Sequence, residues 1–292
     1  MWFQLKIEHC PSQEIELLSN ELEEFGALSI MLTDKNDNPV LEPEPGTTPL
    51  WPEVVIQALF SEVFQAQFTR DLLLQNHPKL ACTLEILEDK DWERAWMDDF
   101  KPQRYGQRLW VCPTWSTPPE PNAVNLMLDP GLAFGTGTHP TTALCLTWLE
   151  QADLKNKEVI DYGCGSGILT LAALKLGAAK VHAVDIDQQA LQATQNNASA
   201  NELDERKLSI GMPETLSKPV DLIIANILLA PLISLKERFQ ELLNPEGMLI
   251  VSGILEEQAP ELIKTYASMF VVVRQENLSG WSLLAFKPTK SS

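Results

Sequence analysis

The stretch that decides the fold is "DYGCGSG", Asp161–Gly167. The apolar "KEVI" runs into it and "ILTLAALKLGA" leaves it. A strand, a glycine-rich turn and a helix, in that order, put the turn at the carboxyl end of a strand. Open α/β sheets bind their ligands there. Glycine lets the main chain approach a ligand closely and adopt positive φ, and the helix offers free N–H groups in its first turn. The turn reads as a nucleotide-type cradle.

The spacing narrows the ligand. A dinucleotide turn follows G-x-G-x-x-G, whereas Gly163, Gly165 and Gly167 give G-x-G-x-G. Asp161, at the strand end, would repel a pyrophosphate but can hold an ammonium or an ordered water. A cofactor with an amino-acid tail and no phosphate fits, and S-adenosylmethionine answers that description. The next strand ends "HAVDID", so that Asp185 follows Gly163 by 22 residues. An acid about 20 residues after the turn is placed to accept hydrogen bonds from ribose hydroxyls. Asp187 is placed to cap the following helix. Cys164 reads as a small side chain packed beneath the loop.

From about residue 124 the pattern alternates. A short leading strand, "VNLML", precedes seven more, at "EVIDYG", "KVHAVDI", "LSIGM", "VDLIIANI", "MLIVSG", "FVVVRQE" and "WSLLAFK". Helices read at "TTALCLTWLEQ", "GILTLAALKLG", "QQALQATQNNASAN", "APLISLKERFQELL" and "EEQAPELIKTYASM". Strand–helix alternation predicts a mostly parallel sheet covered on both faces. "NLSG" joins the last two strands without a helix, so the final strand is antiparallel. A glycine turn, a spaced acid and this alternation together predict a class I methyltransferase sheet.

The acceptor would face the end of the fourth of the seven strands, "IIANILLAPL". There Asn226 offers an amide oxygen to an attacking amine, and we read it as the catalytic residue as well as a cofactor contact. Methyl transfer from a sulfonium is an in-line displacement that needs a neutral, well-placed nucleophile. Ahead of the first sheet helix lies "LDPGLAFGTGTHPTT". Gly131, Gly135 and Gly137 make that loop flexible, Phe134 is placed to close over bound cofactor, and Thr142 can donate to it. His139 lacks a partner in the sequence and reads as structural. The expected cofactor-binding set is Phe134, Thr142, Asp161, Gly163, Gly165, Asp185 and Asn226.

Residues 1–90 read as a separate α+β unit in the order β-α-β-β-α-β, a ferredoxin-like pattern. Ser12 is a plausible cap of its first helix and Gly26 its stop. "DKDWERAWMDDFKP" opens a linker, 91–123, whose Trp92, Trp96 and Phe100 share one helical face. The catalytic part spans 124–292.

The chain has 292 residues and a formal charge of −18, so a phosphate backbone is a poor partner and a cationic one a good partner. Its five cysteines include no CxxC pair. Neither a disulfide framework nor a metal site is expected, and a reduced cytoplasmic setting fits. No signal peptide or membrane-spanning run is visible. A monomer is expected.

"LDPGLAFGTGTHPTT", "DYGCGSGILTLAALKLGA", "VDIDQQAL" and "ANILLAPL" together closely resemble the bacterial methyltransferase of large-subunit ribosomal protein eleven, the PrmA family. The resemblance covers nearly the whole chain. It implies a small substrate-recognition domain, a linker and a class I catalytic domain. It also implies trimethylation of lysine side chains and of the N-terminal amine of that ribosomal protein. By position it gives Thr142, Gly163, Asp185 and Asn226 as cofactor contacts. The rival readings are an N-methyltransferase of another basic protein or of a small amine on the same fold, a nucleic-acid methyltransferase, and a non-catalytic binding protein. Acidity opposes nucleic acid, and a metabolite enzyme has no need of the front unit.

Overall fold

The structure is a computed structural model that describes residues 1–36, 51, 53–87, 100–129 and 139–289. The chain divides into two compact units, Met1–Asp98 and Asp99–Ser292.

The first unit contains β1 (Trp2–Pro11), α1 (Ile15–Glu24), β2 (Ser29–Asp34), β3 (Glu53–Phe60), α2 (Val63–Asn76) and β4 (Ala81–Leu87). Its sheet runs β2-β3-β1-β4, with all three pairings antiparallel. This is the ferredoxin-like order read from the sequence. Phe3, Leu5 and Ile7 alternate inward along β1, opposite Phe60, Ala58 and Ile56. They bury Ile15, Leu18 and Leu22 of α1 and Ala66 and Leu73 of α2. Ser12 does not cap α1, because a 3-10 turn over Ser12–Glu14 comes first and Glu14 takes the cap position. Gly26 does stop the helix. Its φ is +88°, and its N–H and that of Ala27 reach back to the carbonyls of Glu23 and Leu22.

The second unit opens with β5 (Gln103–Tyr105), β6 (Leu109–Cys112) and β7 (Val124–Met127), a small sheet of its own. Only β7 is foreseen by the sequence reading. Tyr105, Leu109 and Val111 are buried in the same core as α3 (Pro140–Gln151). Arg108 donates to the Glu150 carboxylate at 3.3 Å and to the Glu150 carbonyl at 3.3 Å, placing a cation at the C-terminus of α3. Residues 103–112 thus pack as part of this unit.

The main sheet follows, with β8 (Glu158–Tyr162), α4 (Ile168–Lys175), β9 (Lys180–Val184), α5 (Gln188–Ala200), β10 (Leu208–Gly211), β11 (Val220–Asn226), α6 (Leu229–Ser234), α7 (Lys236–Glu241), β12 (Leu243–Leu255), α8 (Ala259–Tyr266), β13 (Phe270–Leu278) and β14 (Trp281–Pro288). Its order is β10-β9-β8-β11-β12-β14-β13. β14 is antiparallel to both neighbours, and the other pairings are parallel. The hairpin expected at "NLSG" is present.

Successive strand residues feed opposite cores, as a sheet covered on both faces requires. Val159, Ile224 and Ile250 face α3 and α4 on one side; Ile160, Ile223, Ala225 and Val251 face α6–α8 on the other. The helix read at "APLISLKERFQELL" is two helices that break at Leu235. Beside the break, the buried Tyr266 hydroxyl of α8 donates to the Leu232 carbonyl at 2.7 Å. After β8 the chain winds one way to β9 and β10, then returns to β11 and β12. The crevice at that reversal, outside the carboxyl ends of β8 and β11, is where such sheets bind ligands.

Candidate functional site

At the end of β8 the turn is built by left-handed glycines: Gly163, Gly165 and Gly167 have φ of +81°, +54° and +79°. Its hydrogen bonds decide what it can hold. The Gly163 and Cys164 N–H groups donate to the Val184 carbonyl, that of Gly165 to Asp185 Oδ2 at 3.0 Å, and that of Gly167 to the Cys164 carbonyl. Its carbonyls are tied to α5, with Thr194 donating to Gly165 O at 3.1 Å and Asn197 to Ser166 O at 2.8 Å. Four N–H groups that would cradle a pyrophosphate are thus spent on the protein itself. That argues against a dinucleotide, independently of the glycine spacing.

Asp161 lies beneath the turn and is 1% exposed. Thr170 donates to its Oδ2 at 2.6 Å, while its Oδ1 is buried with no hydrogen-bond partner among the described residues. Burial pushes the carboxyl up to about 6, against the lowering effect of the Thr170 bonds. A buried carboxylate oxygen without a donor is costly, and a bound ammonium or water satisfies it. The orphaned Asp161 oxygen and the four turn amides already spent on the protein both fit S-adenosylmethionine.

Asp185 is half-buried at the end of β9. Its Oδ2 accepts from Gly165 and its Oδ1 from the Asp187 N–H at 3.0 Å. Each oxygen keeps lone-pair capacity for a further donor, and the carboxylate is fixed to the glycine turn itself. Asp187 caps α5 by accepting from the Gln189 N–H at 2.8 Å. Ile186, between them, is 79% exposed. The sequence reading passed over it. An isoleucine left in water beside a ribose-type acid is the signal that could have found it.

Asn226 ends β11. Its Nδ2 donates at 3.3 Å to Thr142 Oγ1 in the first turn of α3, and its Oδ1 takes no donor among the described residues. Thr142 is 2% exposed and does not cap α3. His139 does, accepting from the Thr141 N–H at 3.4 Å, with its Nδ1 also 2.7 Å from Thr141 Oγ1. Burial lowers the His139 pKa, keeping the imidazole neutral, and its ring meets that of Trp281 edge-on at 4.7 Å. Trp281, half-buried at the start of β14, is a second residue that the sequence reading missed. Its place at this end of the sheet depends on hairpin register. Cys164 is 5% exposed, and burial raises its thiol far above the usual range, so it is no nucleophile. Phe134, with Gly131, Gly135, Gly137, Trp92 and Trp96, lies outside the described residues.

The carboxyl ends of β8, β9 and β11 therefore carry Asp161, Gly163, Gly165, Asp185 and Asn226 side by side, with Thr142 bonded to Asn226. The described residues contain no His/Cys/Asp/Glu cluster able to hold a metal and no helix long and apolar enough to cross a membrane.

Comparison with known proteins follows this geometry. A sequence model of the family described as "Ribosomal protein L11 methyltransferase (PrmA)" matches residues 1–289. The chain is 71% identical over 286 residues to the ribosomal protein L11 methyltransferase of Legionella pneumophila (strain Paris), covering 98% of this chain and 99% of that one. It is 47% identical over 283 residues to the protein of that name from Pseudomonas fluorescens (strain SBW25), covering 96% of this chain and 97% of the other. Among solved structures, ribosomal protein L11 methylase from Lactobacillus delbrueckii subsp. bulgaricus superposes with a TM-score of 0.61 at 32% identity, over 65% of this chain and 100% of that one.

Proposed function

The chain belongs to the ribosomal protein L11 methyltransferase (PrmA) family, and from that premise we propose that it methylates lysine side chains and the N-terminal amine of ribosomal protein L11. The enzyme is a methyltransferase that uses S-adenosylmethionine, which supplies a methyl group activated on a sulfonium. The observation that carries the reading is the buried Asp161 Oδ1 without a donor, one strand away from Asn226.

Asp161 would hold the cofactor's amino-acid end, directly or through water. Asp185 would accept from the ribose, with the exposed Ile186 beside it as an apolar face for the base. Thr142, Gly163, Gly165 and Phe134 complete the proposed binding set. A lysine amine is protonated at neutral pH, its ordinary pKa being about 10.4. A neutral amine entering the site gives one N–H to Asn226 Oδ1 and aims its lone pair at the methyl carbon. With the cofactor bound, its sulfonium would supply the methyl group to this amine, the C–S electron pair staying on the departing sulfide and the spare amine proton leaving to water. Asn226 itself is held by Thr142. His139, neutral and engaged in capping α3, is a wall of the site together with Trp281 and takes no proton in this account.

The first unit serves recognition in this reading. Residues 1–98 carry 19 Asp and Glu against 6 Lys and Arg, a balance of −13 out of the whole chain's −18. Such a unit attracts a basic ribosomal protein. Phe64 and Phe68, one turn apart on α2, are exposed by 78% and 56%, apolar surface that binding would cover. We read the enzyme as a cytoplasmic monomer that acts without direct contact with nucleic acid or membrane. The test is mass spectrometry of ribosomal proteins from a deletion strain. Unmethylated L11 is expected, and fully methylated L11 would reject the proposal.

A further inference from the structure

Two glycines, Gly163 of the cradle and Gly253 near the end of β12, converge on one residue. β11 lies between β8 and β12, and both neighbours reach a left-handed glycine beside its end. Gly163 has φ +81°, and a Cβ placed there would stand 2.4 Å from Ile227 Cγ2. Gly253 has φ +85°, and a Cβ there would stand 2.4, 2.8 and 2.9 Å from the carbonyl oxygen, carbonyl carbon and nitrogen of Ile227. Ile227 directly follows Asn226, whose register partner on β12 is Ser252, the residue before Gly253.

The two contacts are different in kind. The cofactor turn leans on a branched methyl of Ile227, and the end of β12 leans on its peptide group. Backbone can approach this closely because neither glycine has a side chain. Half-buried, Ile227 also packs on the core formed by Ile223, Ala225 and Val251. It has little freedom to yield.

The geometry points to Ile227 as a positioning residue that couples the cofactor turn to the acceptor end. Gly253 seats its peptide, and its Cγ2 methyl against Gly163 fixes the turn's distance from Asn226. The inference rests on Asn226 receiving the amine. A shift of the peptide that carries Asn226 misaligns an in-line displacement, and about 1 Å of misplacement can cost on the order of a hundredfold in rate.

The methyl contact makes a test that a simple volume effect would not pass. Ile227→Val keeps Cγ2 and loses volume. Ile227→Leu keeps the volume and loses the branch at Cβ. In the full chain, with ribosomal protein L11 as acceptor, Ile227→Val is expected to hold kcat within about twofold. Ile227→Leu is expected to lower kcat on the order of tenfold, with the dissociation constant for S-adenosylmethionine changed far less. Gly253→Ala should show the same split between kcat and cofactor affinity. Should it fail to fold, the two Ile227 variants still decide the matter. A Leu variant as active as the Val variant, or a loss carried mainly in cofactor affinity, would overturn the inference. Asn226→Ala, measured alongside, separates the layers. If it retains wild-type kcat, the reading of Asn226 is wrong; if it loses kcat while Ile227→Leu does not, the coupling alone is wrong.

Discussion

Asn226 Nδ2 donates to Thr142 Oγ1 at 3.3 Å, joining residues 84 positions apart across the mouth of the sheet. The bond uses the amide's nitrogen and so presents its oxygen, the atom an incoming amine needs. Thr142→Val removes the acceptor at nearly constant volume. We expect kcat to fall about fivefold, the equivalent of a hydrogen bond of about 1 kcal/mol. Thr142→Ser should stay near wild type. Asn226→Ala should lower kcat more than it raises the cofactor's dissociation constant. Steady-state kinetics beside calorimetry make the comparison, and equal kcat for Val and Ser variants would count against this role of Thr142.

Asp161 gives a prediction in pH. Its folded pKa is raised to about 6 from an ordinary 3.8, chiefly by burial. A raised acid contributes stability that is fully present below the unfolded value and is lost as pH climbs through the folded one. The loss between about pH 4 and pH 7 is on the order of 3 kcal/mol in the cofactor-free protein. Asp161→Asn carries no such titration, so its Tm should gain on wild type as pH rises across that window. Cofactor affinity of the wild type should rise through about pH 6 as the carboxylate ionises, while the Asn variant stays weak throughout. Parallel Tm curves for the two proteins would show that the carboxyl does not titrate there.

Asp185→Ala is expected to weaken cofactor binding by ~1.5–3 kcal/mol, the loss for a charge-assisted hydrogen bond. The structure adds a second consequence, because this carboxylate also holds the Gly165 N–H. The variant should therefore lose some thermal stability even without cofactor. Unchanged affinity by titration would remove Asp185 from the ribose.

A fragment spanning Asp99–Ser292 should bind S-adenosylmethionine but fail to methylate L11 efficiently. The cut belongs there and not at Val124, since Tyr105, Leu109 and Val111 fill the core beneath α3. A fragment starting at Val124 should be markedly less stable. Full-rate methylation of L11 by the Asp99 fragment would place recognition outside residues 1–98.

Much of this was legible because it is local. Alternating strands around a glycine turn specify a parallel sheet, and "NLSG" specifies the antiparallel hairpin. Asp161, Asp185 and Asn226 were marked by standing at strand ends, a position that sequence period reveals. What escaped depends on tertiary contacts. β5 and β6 are too short to show a period, and no glycine or proline at Leu235 announces the break there. Ser12 was displaced by a 3-10 turn. Nothing in the sequence tells that Gly163 and Gly253 meet on Ile227, since glycine spacing along a chain does not record what lies opposite.

The central claim is amine methylation of ribosomal protein L11 by S-adenosylmethionine. Its most direct test combines the purified full-length enzyme, unmethylated L11 and the cofactor, and follows the intact mass and peptide masses of L11 with time. Stepwise addition of whole methyl groups, confined to lysine side chains and the N-terminal amine, is the predicted result. Below saturation, the rate should climb with pH from about 7 to about 9.5 with the neutral amine fraction. An L11 mass that stays constant while the enzyme is shown to bind the cofactor would contradict the account.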